Sequence, residues 1–131
     1  MSAIPDNLKY SKEHEWVRIE EGNIAYIGVT DHAQSELGEL VYVEIDTIGE
    51  TIEQDEVFGT VEAVKTTSEL FMPVKAKVLA FNPALDESEG DNPGLINEDP
   101  YKEGWIVKVE IQNLEDLDGL LDAAAYGEIV A

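Results

Sequence analysis

The stretch 57–82, VFGTVEAVKTTSELFMPVKAKVLAFN, limits what this chain can become more than any other. Two β-rich runs, 57–64 and 67–74, flank a single lysine, Lys65. Apolar and β-branched residues dominate both runs, which is the composition of strands paired as a hairpin. Lys65 falls at the bend, with Thr66 after it. An amine lifted on a tight turn can be reached by another protein's active site, the geometry wanted for covalent attachment of a swinging cofactor. A solvated turn lysine answers the same description, so the hairpin alone leaves both readings open.

The chain has 131 residues, enough for one compact domain (1–131) with its own core. No apolar run approaches the roughly 20 residues that cross a bilayer. The opening Met1-Ser2-Ala3-Ile4-Pro5-Asp6 has no basic, apolar or cleavage region. No secretory or transit segment is visible, and a cytoplasmic chain, or one already processed, is expected. There are no cysteines, so the fold needs no disulfide and suits a reducing compartment. Eight Lys+Arg against 29 Asp+Glu leave a net charge of −21. Such a surface repels nucleic acid and anionic membrane. Steering toward basic partner patches, plain solubility and a saline habitat all account for it.

Taken in order, the chain reads as many short strands followed by a helical tail. Val17 and Ile19 alternate with Arg18 and Glu20, the pattern of a half-buried strand. His14-Glu15-Trp16 stands at its start. Gly22 and Asn23 suit a hairpin turn into a strand over 24–29. Thr30 or Asp31 can cap a short helix that Gly38 ends, with Ala33 and Leu37 toward the core and His32 on its surface. Val41, Val43 and Ile45 share one face of a strand that is apolar on both sides. Lys75-Ala76-Lys77 reads as a second bend before a strand over 78–81. The acidic loop 86–92, DESEGDN, lacks the glycine and closing glutamate of a calcium loop. Trp105, Val107, Val109 and Ile111 alternate as a last strand. Leu114, Leu117, Leu120 and Leu121 recur at helical spacing after Asn113, with their faces toward the core, in a tail over 113–130.

Five ordered markers carry a resemblance: HEW at 14–16, TDHAQ at 30–34, VEAVKTTSEL at 61–70, NPGLIN at 92–97 and PYKEGW at 100–105. Together, over about residues 8–126, they closely resemble the glycine cleavage system H protein family. A biotin carrier would place methionines beside the lysine, where Val64 and Thr66 stand. A phosphopantetheine carrier would present a serine. Two departures stand out. Lys75-Ala76 replaces a usual Ser-Gly, at a cost of about 1 kcal/mol if the turn keeps a glycine's backbone. Glu13 occupies a place that often holds serine.

The resemblance implies a mainly β fold, a flattened β-barrel or sandwich hybrid with short peripheral and C-terminal helices. It implies lipoate joined as an amide to Lys65, with Glu62 read by the lipoate-attaching enzyme. The partners it implies are glycine decarboxylase, aminomethyltransferase and dihydrolipoyl dehydrogenase, between which a monomeric carrier shuttles the aminomethyl group of glycine. Glu15 and Glu69 are the carboxylates implied to hold the amine of the loaded arm. The alternative within this class is a lipoyl relay that donates lipoate to 2-oxoacid dehydrogenases. An independent enzyme is disfavoured, because no cysteine nucleophile, nucleophile elbow, phosphate loop or zinc-spaced set occurs.

Overall fold

The computed structural model describes residues 4–86 and 88–130. Met1, Ser2 and Ala3 of the N-terminal reading and Glu87 of the acidic loop lie outside the described residues.

The elements in order are β1 (Lys9–Tyr10), β2 (Glu15–Glu21), β3 (Ile24–Val29), α1 (Asp31–Leu37), β4 (Leu40–Glu44), β5 (Thr51–Ile52), β6 (Val57–Ala63), β7 (Thr67–Phe71), β8 (Ala76–Phe81), α2 (Leu95–Glu98), β9 (Val107–Ile111), a 3-10 helix over Leu114–Gly119, and α3 (Ala123–Val130). The strands form two sheets, ordered β1-β2-β3-β9-β8-β5 and β4-β6-β7, with every pairing antiparallel. No ladder joins them into a closed barrel among the described residues, so the sandwich half of the expected hybrid describes the fold. Ala25, Ile27, Val78, Val107 and Val109 of the large sheet and Val43, Phe58, Val61 and Leu70 of the small one are buried in one core.

A second cluster, Leu8, Tyr10, Trp16 and Tyr126, ties the chain's two ends together. Its depth depends on Gly28. A Cβ there would stand 2.6 Å from Trp16 Cζ2, so only glycine admits the indole. Trp16 Nε1 then donates to the carbonyls of Val29, at 3.0 Å, and Pro100, at 2.9 Å. The buried N–H is paired, as a polar atom in an apolar setting must be.

Four local expectations need correction. Val17 is buried, but Ile19 is 43% exposed, because β2 bulges between Ile19 and Glu21 and runs out past the core toward the turn at Gly22. In β4 a register shift between Leu40 and Tyr42 breaks the alternation, so Leu40 and Val43 are buried while Val41 faces out. Ala76 is not in a bend. It is the first residue of β8, fully buried opposite Ile52 and Ile111, and its φ is not positive. The cost assigned to an alanine in a glycine's turn therefore does not arise. The tail leucines divide: Leu117 and Leu120 pack on the main core and Leu121 on the second cluster, but Leu114 is 46% exposed. The helix is a short 3-10 segment that stops at Gly119, and Leu120 is already extended, so Leu120 and Leu121 lie beyond it and the four leucines share no single helical face.

Candidate functional site

β6 and β7 pair from Val57 and Phe71 at one end to Glu62 and Thr67 at the other. The Ala63 N–H donates to the Thr66 carbonyl at 2.7 Å, which closes the hairpin around Val64 and Lys65. Both of these residues are exposed, Val64 to 72%. The tip is also pinned from below, because the Val64 N–H donates to the Glu39 carbonyl at 3.0 Å. Glu62 stands exposed on β6, opposite Tyr42 and Thr67, three residues before the lysine.

The tip rests on the end of α1. Thr30 caps that helix, its hydroxyl accepting from the Ala33 N–H at 3.2 Å, and Gly38 ends it at φ +83°. A Cβ on Gly38 would lie 3.3 Å from Lys65 Cε and 3.7 Å from Nζ, so the lysine stem lies across the glycine. Asn97, from the 92–97 motif on α2, secures this shelf. Its side-chain amide donates to the Gly38 carbonyl at 2.8 Å and to Gln34 Oε1 at 2.9 Å, and its oxygen accepts from the Leu40 N–H at 3.0 Å.

Beside the shelf, between α1, the start of β2 and the far arm of the hairpin, is a cleft of about 300 Å³. Its apolar wall is Val29, Leu37 and Leu70, and Glu13, Glu15 and Glu69 face it. The structure thus brings Glu15 and Glu69 to one cleft, with Glu13 beside them, while Glu62 stands apart on the hairpin. The two carboxylates differ in setting. Glu69 is exposed, and Glu15 is 2% exposed. Glu15 accepts from the Ser11 hydroxyl at 2.7 Å and from the Phe71 N–H at 3.3 Å. Burial pushes its carboxyl up to about 8, against the opposing pull of these two hydrogen bonds. Burial thus favours the protonated form of this carboxyl near neutral pH.

The cleft also holds both histidines of the chain. His32 is not a plain surface residue: its ring lies 4.9 Å from that of His14, and its Nε2 is 3.8 Å from Glu36. His14 Nδ1 is 2.7 Å from the Tyr126 hydroxyl, which is also 2.7 Å from Thr30 Oγ1. Burial, then His32, lowers the imidazole's pKa. Sequence reasoning missed Tyr126. Its helical neighbours show a small-residue run, and nothing local marks a contact with residues 112 and 96 positions earlier.

Fold and site together define a class: two-sheet antiparallel proteins that present one lysine on a hairpin beside an acid-lined cleft. Comparison with known proteins narrows it. The profile of the family described as "Glycine cleavage H-protein" matches residues 8–131. The glycine cleavage system H protein of Bacteroides fragilis is 55% identical over 127 residues, 97% of each chain. That of Symbiobacterium thermophilum is 52% identical over 126 residues, 96% of this chain and 94% of the relative. A crystal structure of the glycine cleavage system H protein from Mycobacterium marinum superposes with a TM-score of 0.82 at 33% identity, covering 95% of this chain and 97% of that one. The chain belongs to the glycine cleavage H-protein family.

Proposed function

We propose that this chain, as a single carrier unit over 1–131, is the lipoylated carrier of a glycine cleavage system. It moves the aminomethyl group of glycine from glycine decarboxylase to aminomethyltransferase and presents the dithiol to dihydrolipoyl dehydrogenase. The observation that carries this reading is the placement of Lys65: exposed at the hairpin turn, lying over Gly38, next to a cleft that contains two of the implied carboxylates. It acts without a catalytic group of its own, as a cytoplasmic monomer.

The residues fit lipoate. Lys65 supplies an accessible amine for the amide, and acylation removes its charge. Glu62, on the same hairpin and open to solvent, is the group for the lipoate-attaching enzyme to read. Lipoate, when bound, supplies the sulfur chemistry that takes up and gives up the aminomethyl group; the protein supplies position and protection. Val29, Leu37 and Leu70 keep water from one side of the cleft. Glu69 offers a charge to a cationic amine from the rim. Glu15 offers a second carboxyl. A positive group in the cleft favours the ionised form of that carboxyl. Tethering raises the local concentration of the cargo at each partner.

The test is reconstitution. Lipoate is attached, glycine decarboxylase is added, and exchange of labelled bicarbonate into the glycine carboxyl is followed. The lipoylated chain supports exchange. A folded Lys65→Arg chain does not, and equal exchange with that variant refutes the reading.

A further inference from the structure

We propose that Tyr126, on the C-terminal helix, is a positioning residue that fixes the tautomer of His14, so that the imidazole carries its hydrogen on Nε2 and leaves no nitrogen lone pair free in the wall of the cleft. The consequence rests on the carrier reading above: a histidine so fixed cannot take a proton from an amine held there.

The direction of the hydrogen bonds follows from the helix cap. Thr30 is fully buried, and among the described residues its Oγ1 has two partners, the Ala33 N–H and the Tyr126 hydroxyl. The backbone N–H can only donate, so Thr30 Oγ1 accepts from it at 3.2 Å. The threonine's own proton then has one place to go, the Tyr126 oxygen at 2.7 Å. Tyr126, having accepted, donates its proton to His14 Nδ1 at 2.7 Å. His14 therefore bears its hydrogen on Nε2. The opposite arrangement, His14 Nδ1–H to Tyr126 and Tyr126 to Thr30, leaves the buried threonine proton without an acceptor, which is costly. The helix start thus dictates, through three side chains, which nitrogen of the imidazole is a donor.

The surroundings hold the ring in place. Tyr126 is fully buried, and its ring is stacked 4.8 Å from Tyr10 at 11°. His14 is at φ +73°, a backbone conformation that a side-chain-bearing residue rarely adopts. It is retained here by two hydrogen bonds: the His14 N–H donates to the Ser11 carbonyl and its carbonyl accepts from the Thr30 N–H. The ionisable groups around the ring are His32 and Glu36 of α1 and Glu13 before it, and burial outweighs the two glutamates in keeping the imidazole neutral.

A neutral imidazole with an exposed lone pair is a good general base near pH 7. One that presents only Nε2–H is a donor. Loss of an aminomethyl cargo to water, which yields free thiol, formaldehyde and ammonium, begins when the ammonium nitrogen gives up a proton and frees its electron pair. His14 lines the same cleft as Glu15 and Glu69, and the Tyr126 hydroxyl occupies its one lone-pair nitrogen.

Two measurements decide this. The first needs no cofactor: ring nitrogen NMR of His14 in the unmodified chain. The expected signature is protonated Nε2 and hydrogen-bonded, unprotonated Nδ1. In Tyr126→Phe, which keeps the ring and its stack on Tyr10, a mixture of tautomers is expected. An Nδ1–H tautomer in the parent chain, or an unchanged tautomer in the variant, overturns the proposal. The second is the half-life of the aminomethyl group on the loaded chain, read as released formaldehyde. Tyr126→Phe shortens it by about a hundredfold, the lower end of what a single general base contributes, and adding His14→Gln restores it. Faster loss that His14→Gln does not restore overturns the protective role. A chain that cannot be loaded at all refutes the carrier reading, and the tautomer measurement still decides the role of Tyr126.

Discussion

The stem of Lys65 crosses the end of helix α1 directly above Gly38, where a methyl group would stand 3.3 Å from Lys65 Cε. Two demands meet at that glycine: its φ of +83° and room for the lysine. Gly38→Ala therefore carries a backbone penalty of about 1 kcal/mol and lifts the lysine from its bed. The expected outcome is a matching loss in denaturant unfolding, with faster acetylation of Lys65 by a small reagent. Unchanged acetylation would show that the lysine does not rest on this glycine.

Gly28 carries a sharper steric limit. An added methyl would lie 2.6 Å from Trp16 Cζ2, and the indole is fully buried and bonded through Nε1 to two carbonyls. Gly28→Ala must displace Trp16, at a cost of about 1–3 kcal/mol for overpacking with the loss of at least one of those bonds added to it. Near-ultraviolet circular dichroism should show a weakened tryptophan signal, alongside a lower midpoint in urea. A parent-like spectrum would contradict the account of the second cluster.

Glu15 links the cleft to stability through pH. Its carboxyl is raised in the folded chain to about 8, from an ordinary value of 4.5. Below the lower value both states hold the proton. Between the two, the unfolded chain releases it and the folded chain does not, so this group's contribution to stability falls as pH rises, at up to about 1.4 kcal/mol per pH unit. Above about 8 the effect levels off. Glu15→Gln removes the slope. The measurement is the difference in unfolding free energy between the parent and variant chains from about pH 5.5 to 7.5. A flat difference would mean that Glu15 is ionised in the folded chain.

How far the sequence speaks for itself depends on the range of the interaction. Lys65 at a bend follows from two β-rich arms and the break between them, all within one hairpin, and Thr30 and Gly38 follow from the rules for helix ends. Strand faces were less legible. The bulge at Val41 inverts the outward face of β4, and no residue pattern announces a one-residue slip in register. Ala76 reads as a turn residue because two lysines flank it between apolar runs, whereas its pairing with Ile52 and Ile111 makes it a strand residue. The deepest part of the site was silent. Tyr126 meets His14 and Thr30 where Tyr10 of β1 and Leu121, two residues before α3, exchange backbone hydrogen bonds and close the chain's ends on each other.

The central claim is that one lysine bears the cofactor, and peptide mass spectrometry tests it most directly. The chain is produced with lipoate and its attaching enzyme, digested, and the modified residue located. The account predicts one lipoyl group, carried on Lys65, and none on a folded Lys65→Arg chain. A lipoyl group found on Lys75 or another lysine, or a parent chain that stays unmodified, would contradict it.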